Sequence, residues 1–211
     1  MTRFPSTRQE FNVFRKIKNP AQVQDFLNSF GMNFETSGET CRSPLLVLRK
    51  RQAHCMEGAL LAAAIFWYHG QKPLLLDLQT SKPDVDHVVT LFKEGGRWGA
   101  VSKTNHGVLR YREPIFKTVR ELALSYFHEY FLDDGRKTMR SYSAPFSLLD
   151  YEDDWLFSDQ NLWAIPDDLD TSKHFPILQK NQEKKLRKAE RVEIESGKLT
   201  EWTKDNVRRK Y

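Results

Sequence analysis

The chain has 211 residues, of which 39% are hydrophobic, 29% charged and 12% aromatic, with ten glycines and nine prolines. That length can bury a core without covalent staples. The aromatic load excludes wholesale disorder, and the modest Gly and Pro content excludes collagen-like or low-complexity chains. The formal net charge of +5 is far weaker than a dedicated nucleic-acid module needs. Two cysteines, Cys41 and Cys55, make no disulfide framework, so a reduced, cytoplasmic chain is expected. The N-terminal stretch lacks the apolar run of a signal peptide. The longest uncharged apolar run, Gly58 to Tyr68, has only eleven residues, too few to span a bilayer, so no membrane partner is expected.

Charge divides the chain into three parts: residues 1–132 carry a net +6, residues 133–172 a net −7 and residues 173–211 a net +6. Four segments follow: a helical lead-in over 1–42, a core over 43–132, an acidic irregular covering segment over 133–172 and a basic helical tail over 173–211.

In chain order, Asn19-Pro20 followed by AQVQDFLNSF predicts a capped amphipathic helix with Pro at its first position, ended by Gly31. From Cys55 the run CMEGALLAAAIFWYHG predicts a helix that is apolar nearly all round, hence buried, with Gly70 just past its end. KPLLLDL, VDHVVTLF, RWGAVS and VLRYR predict a meander of strands, with Glu94-Gly95-Gly96 as one turn. Thr118-Val119-Arg120-Glu121 predicts a capping box opening a helix whose apolar positions run from Val119 to Phe131. In the acidic segment, Phe146, Leu148, Leu149, Trp155, Phe157 and Trp163 predict contact with the core. LQKNQEKKLRKAERVEIES reads as a polar helix. A buried helix against an antiparallel sheet gives an α+β fold.

No dinucleotide or phosphate-binding glycine loop, no H-E-x-x-H and no C-x-x-C occurs, so neither a cofactor nor a metal is expected. Asp84-x-Asp86-His87 is the nearest approach to a ligand set, and it reads better as solvated surface residues, since surface Asp-His pairs are commonly just that. The informative pair is Cys55 and His87. Cys55 opens the buried helix, where unpaired N–H groups and the macrodipole favour a thiolate, the nucleophilic form. His87 sits on the second strand after that helix, where an imidazole can reach the sulfur. The bland alternative is a structural cysteine and an unrelated strand histidine.

Cys55-Met56-Glu57-Gly58-Ala59, the apolar helix, Gly70-Gln71-Lys72-Pro73 with its strand, Asp86-His87-Val88-Val89 and Gly95-Gly96-Arg97-Trp98-Gly99-Ala100-Val101 together resemble the transglutaminase-like core. The likeness covers about residues 43–112. It implies a papain-like arrangement with Cys55 as nucleophile and His87 as the base that becomes the acid for the leaving group. It also implies a protein or peptide-like amide substrate, hydrolysed or transferred through a Cys55 thioester. The family places an Asp four residues after the tryptophan, where this chain has Ser102. Asn105 is the candidate substitute for orienting the imidazole. The Cys55 N–H, with Gln52 and His54 just upstream, are candidate oxyanion donors.

Ser102 to His106 is either a plain polar turn or the rim of a cleft beside His87. Lys184, Lys185, Arg187, Lys188 and Arg191, with Arg208, Arg209 and Lys210, form a basic tail. It is a solvated helix surface, a nucleic-acid phosphate contact or a docking face for the acidic segment. The alternative to an enzyme is a catalytically inactive binding module of the same fold, its tail contacting nucleic acid or an acidic protein.

Overall fold

The computed structural model describes residues 4–204. A 3-10 turn over Gln9–Lys16 leads into α1 (Pro20–Asn28), which Asn19 caps by accepting from the Gln22 N–H at 2.9 Å. The short strand β1 (Gly31–Met32) is followed by α2 (Pro44–Lys50), capped by Ser43. Next, β2 (Gln52–Ala53) pairs in parallel with β1. The apolar run becomes α3 (Cys55–Tyr68), and Gly70 takes a φ of +82° just beyond it, as a helix C-terminal glycine does.

The predicted meander forms β3 (Leu74–Thr80), β4 (His87–Glu94) and β5 (Arg97–Val101). Gly95 and Gly96 both have positive φ, +56° and +75°, which the tight β4–β5 hairpin requires. The next strand, β6 (Arg112–Phe116), begins later than the VLRYR run, because Leu109 at φ +62° breaks the extended chain there. Pro114 is tolerated because β6 lies at the sheet edge.

The capping box at Thr118 opens α4 (Val119–Leu124), which stops well short of Phe131. Ser125 turns its hydroxyl back onto the Leu122 carbonyl at 2.6 Å, competing with the helical ladder. A 3-10 turn over Phe127–Glu129 follows, and Leu122, Ala123 and Tyr126 remain fully buried.

The acidic segment is less irregular than its composition suggests. It supplies β7 (Met139–Ser143), β8 (Phe146–Ser147) and α5 (Ala164–Thr171). The tail adds β9 (His174–Pro176) and a short α6 (Arg191–Gly197). Between these lies only a 3-10 turn, Glu183–Lys185, instead of one long helix. The reason is physical: the stretch has no continuous apolar stripe, and Lys184 lies one turn from both Arg187 and Lys188, so like charges repel. Arg208, Arg209 and Lys210 lie outside the described residues.

Strands β3 to β9 make one antiparallel sheet in the order β6-β5-β4-β3-β7-β9, with β8 also on β3. Helix α3 lies on it, and the Thr90 hydroxyl donates to the Ala59 carbonyl at 2.7 Å across that interface. The fold is α+β, as the element order predicts. Phe11, Phe14, Val23 and Leu27 share the α3 core with Trp155 and Leu169, so the lead-in and the acidic segment both help to build it. Trp155 stacks on Trp67 with 6.0 Å between ring centroids, whereas Leu149 and Trp163 stay exposed. The alternative of charge docking finds no close ion pair among the described residues, although Asp134 feels the Lys188 charge and Asp170 that of Lys82. Among the described residues no ion pair joins an acid of 133–172 to a cation outside it, and the pair that does cross, Arg140–Glu183, runs the other way. Among the same residues no helix is long and apolar enough to cross a membrane.

Candidate active site

Cys55 is the first residue of α3, so its own N–H and that of Met56 belong to the first turn, which has no intrahelical acceptor. Cys55 is a half-buried residue that lines a cavity of about 400 Å³. His87 opens β4, the strand against which α3 packs, and both it and His54 hydrogen-bond to the sulfur. Nε2 of His87 lies 2.6 Å from Ser102 Oγ, which leaves Nδ1 for the sulfur. Ser102 follows β5 directly and is fully buried. Gln24 of α1 holds it from both sides, accepting from its N–H and donating to its carbonyl, each at 2.9 Å. The imidazole thus meets a neutral hydroxyl, not a carboxylate.

Removal from water raises a thiol. Here the hydrogen bonds and positive charge of His54 and His87 outweigh that effect and hold Cys55 well below the usual thiol range. Burial works against the His54 imidazolium too, but its bond to Cys55 and the charge of Glu57 dominate and raise it to about 9. The surroundings explain why. His54 Nε2 donates to the Thr40 carbonyl at 2.7 Å and lies 3.6 Å from Glu57 Oε1 and 3.7 Å from Glu35 Oε1.

Glu57 is completely buried. Its carboxylate accepts from the Thr40 hydroxyl (2.7 Å), the Asn33 amide (3.0 Å) and the N–H groups of Arg42 (3.1 Å) and His54 (3.2 Å). The site's carboxylate therefore supports the histidine beside Cys55 in sequence, and not His87. Sequence reasoning treats His54 only as an oxyanion donor. The available signal was H-C-M-E itself, in which a residue before the helix and a Glu three positions on form a capping pair.

Cys41 is a different kind of thiol. It is buried in the core and pushed up to about 12, by burial and by the nearby Glu57 charge.

Asn105 does not take the orienting position. Its side-chain amide donates to the Trp202 carbonyl at 3.0 Å and accepts from the Trp202 N–H at 2.8 Å, which pins the C-terminal segment instead. Gln52 lies on β2 and is not among the residues lining the cavity. The polar loop is the rim of the cleft: Lys103, Thr104, Asn105 and His106 all face it, with Ile194 and Lys198 of the tail opposite. Lys103 is buried, donates from Nζ to the Phe30 carbonyl at 2.5 Å, and is lowered to about 8 mainly by its removal from water.

Asp84 and Asp86 are structural. Asp84 accepts from the Thr138 hydroxyl and Asp86 from the N–H and hydroxyl of Thr80. Among the described residues no three His, Cys, Asp or Glu side chains are grouped to hold a metal ion. No protein-family model matches the chain, and no curated protein matches it.

Proposed function

We propose that the chain is a cysteine-dependent amide hydrolase or acyl transferase of transglutaminase-like type, with a papain-like arrangement of helix and sheet. The observation that carries this is a single thiol at the start of a buried helix, hydrogen-bonded to two histidines and open to a cavity. Cys55 is the nucleophile. Its sulfur attacks the amide carbonyl carbon while the Cys55 N–H receives the developing oxyanion. The C–N bond then breaks, and His87 delivers a proton to the leaving nitrogen. The thioester is cleaved by water or by an amine, which gives its proton to His87, and the thiolate leaves.

Ser102 orients His87. His54, held by Glu57 and the Thr40 carbonyl, supplies the positive charge that keeps the sulfur ionised between turnovers. Ser102 in place of a carboxylate is the observation that favours a silent binding module. The His54–Glu57 pair answers it by bringing the missing negative charge to the site from the other side.

The test is alkylation with iodoacetamide near neutral pH. Cys55 is expected to react much faster than Cys41, and His87→Ala is expected to reduce that difference. A cysteine-directed acylating probe is expected to label the native chain and not Cys55→Ala. Equal, slow labelling of both thiols would reject the nucleophile and leave the silent module.

A further inference from the structure

The second chemically marked place in the molecule lies where the tail meets the strand β7. A concavity of about 530 Å³ is lined by Lys82, Lys137, Arg140, Lys184, Arg187 and Lys188, with Arg136 at its edge and Glu183 as its one carboxylate. These cations come from three separate parts of the chain and converge, although like charges repel and nothing in the sequence compels the tail to fold back onto Lys82 and Arg136.

The carboxylates nearest the concavity form their ion pairs with its arginines, although Asp170 still acts through space on Lys82, Asp134 on Lys188 and Glu193 on Lys137. Glu183 pairs with Arg140, Asp134 with Arg136, and Glu190 and Glu193 with Arg187. Among the described residues Lys82, Lys137, Lys184 and Lys188 have no ion-pair partner. Lys137 is the telling one. It is only 7% exposed, and its ammonium has one protein hydrogen-bond contact, the His128 carbonyl at 3.5 Å, together with the Phe131 ring at 5.6 Å. A buried ammonium so poorly satisfied is costly unless an anion completes it. Removal from water lowers it below the usual lysine range, opposed by the nearby Glu193 carboxylate and reinforced by the Arg187 charge.

We infer that this concavity binds a compact polyphosphate: an oligophosphate chain or a small molecule bearing one. The volume is that of a small-molecule site. Lysines act on phosphate as point charges, while Arg140 and Arg187 keep their carboxylate partners and shape the walls. The cations surround a hollow and do not follow a stripe. No aromatic side chain lines it, so a single-stranded nucleic acid would find charge there but no surface on which to stack its bases.

The experiment titrates the full chain calorimetrically with inorganic tripolyphosphate in about 50 mM salt, and repeats it near 300 mM. Saturable one-to-one binding is expected, weakened by salt and weakened at least about tenfold in the double variant Lys184→Glu, Lys188→Glu. Both lysines are exposed, so the variant keeps the fold, and an unchanged melting temperature verifies this. Orthophosphate is expected to bind much more weakly, since it reaches fewer of the ammonium groups. Three results would overturn the assignment. One is no heat with tripolyphosphate at about 1 mM in low salt. Another is equal affinity in the double variant. The third is a single-stranded oligonucleotide that binds this patch and that tripolyphosphate does not displace.

Discussion

Ser102 Oγ stands 2.6 Å from Nε2 of His87, with both residues buried. Whichever of the two donates the proton, Nδ1 is left toward the Cys55 sulfur, so the contact fixes ring orientation without adding charge. Ser102→Ala removes the partner and leaves a ring nitrogen unsatisfied where little water reaches. The expected cost is about 1–3 kcal/mol of stability. The acylation burst with p-nitrophenyl acetate is expected to slow about 5- to 160-fold, the kinetic equivalent of losing that bond. An unchanged burst rate would remove Ser102 from the site.

Part of this site was legible before folding. The placement of Cys55 at the start of a buried helix followed from an apolar run that must be covered on all sides, and His87 followed from the β-branched residues around it. Ser102 was legible as a departure from a family pattern, but its contact with His87 depends on Gln24, 78 residues away in the chain, bonding it on both sides. The His54–Glu57 pair depends on Thr40 and Asn33 arriving from a separate loop. Asn105 looked suitable by spacing, yet its amide was committed to the backbone of Trp202, which no local pattern reports. The tail's conversion into a cleft wall has the same origin: tertiary contacts, not propensity, decide where a polar segment rests.

The Cys55–His54 pair makes a pH prediction with a definite sign. His54 is raised from 6.5 to about 9, so the fold favours its protonated form. That stability is fully present below pH 6.5 and is lost as pH rises through about 9. Cys55 is lowered, so its contribution is present above the ordinary thiol range and lost as pH falls through its depressed value. Both describe one interaction, which is strongest between these limits. From about pH 9 down to pH 6.5 the imidazolium's gain offsets the thiolate's loss, and below pH 6.5 only the loss remains. The native chain is therefore expected to lose more melting temperature between about pH 6.5 and about pH 5 than Cys55→Ser does, which has no thiolate to lose. Lys103, lowered to about 8, titrates in both proteins and cancels in the difference. Parallel curves would mean that no such pair exists.

Asn105 and Trp202 make a prediction that separates structure from chemistry. Asn105→Ala deletes the two side-chain hydrogen bonds to Trp202 that help hold the C-terminal segment at the cleft rim, leaving the Gly107–Leu199 (2.8 Å), Glu201–Asn105 backbone (2.9 Å), His106–Gly197 (3.0 Å) and Arg110–Glu201 (2.9 Å) bonds. Limited proteolysis around residues 198–204 is expected to speed up several-fold. The pH profile of Cys55 alkylation is expected to keep its midpoint, because neither histidine touches Asn105. A shifted midpoint would return Asn105 to the orienting role that Ser102 fills.

Gly58 tests how closely the helix and the rim must approach. A Cβ built there would stand 2.3 Å from Lys103 Cβ, closer than any real contact. Lys103 cannot easily retreat, because its ammonium is tied to the Phe30 carbonyl and its neighbour Ser102 is clamped by Gln24. Gly58→Ala therefore gains a little helix propensity and loses much more to overpacking, a net destabilisation of about 1–3 kcal/mol by chemical denaturation. Because the strain pushes on the segment that carries Ser102, alkylation of Cys55 is expected to slow in the same variant, even under conditions where it is fully folded. A Gly58→Ala protein of native stability and native thiol reactivity would mean that α3 and the rim leave room for a methyl group beside Lys103.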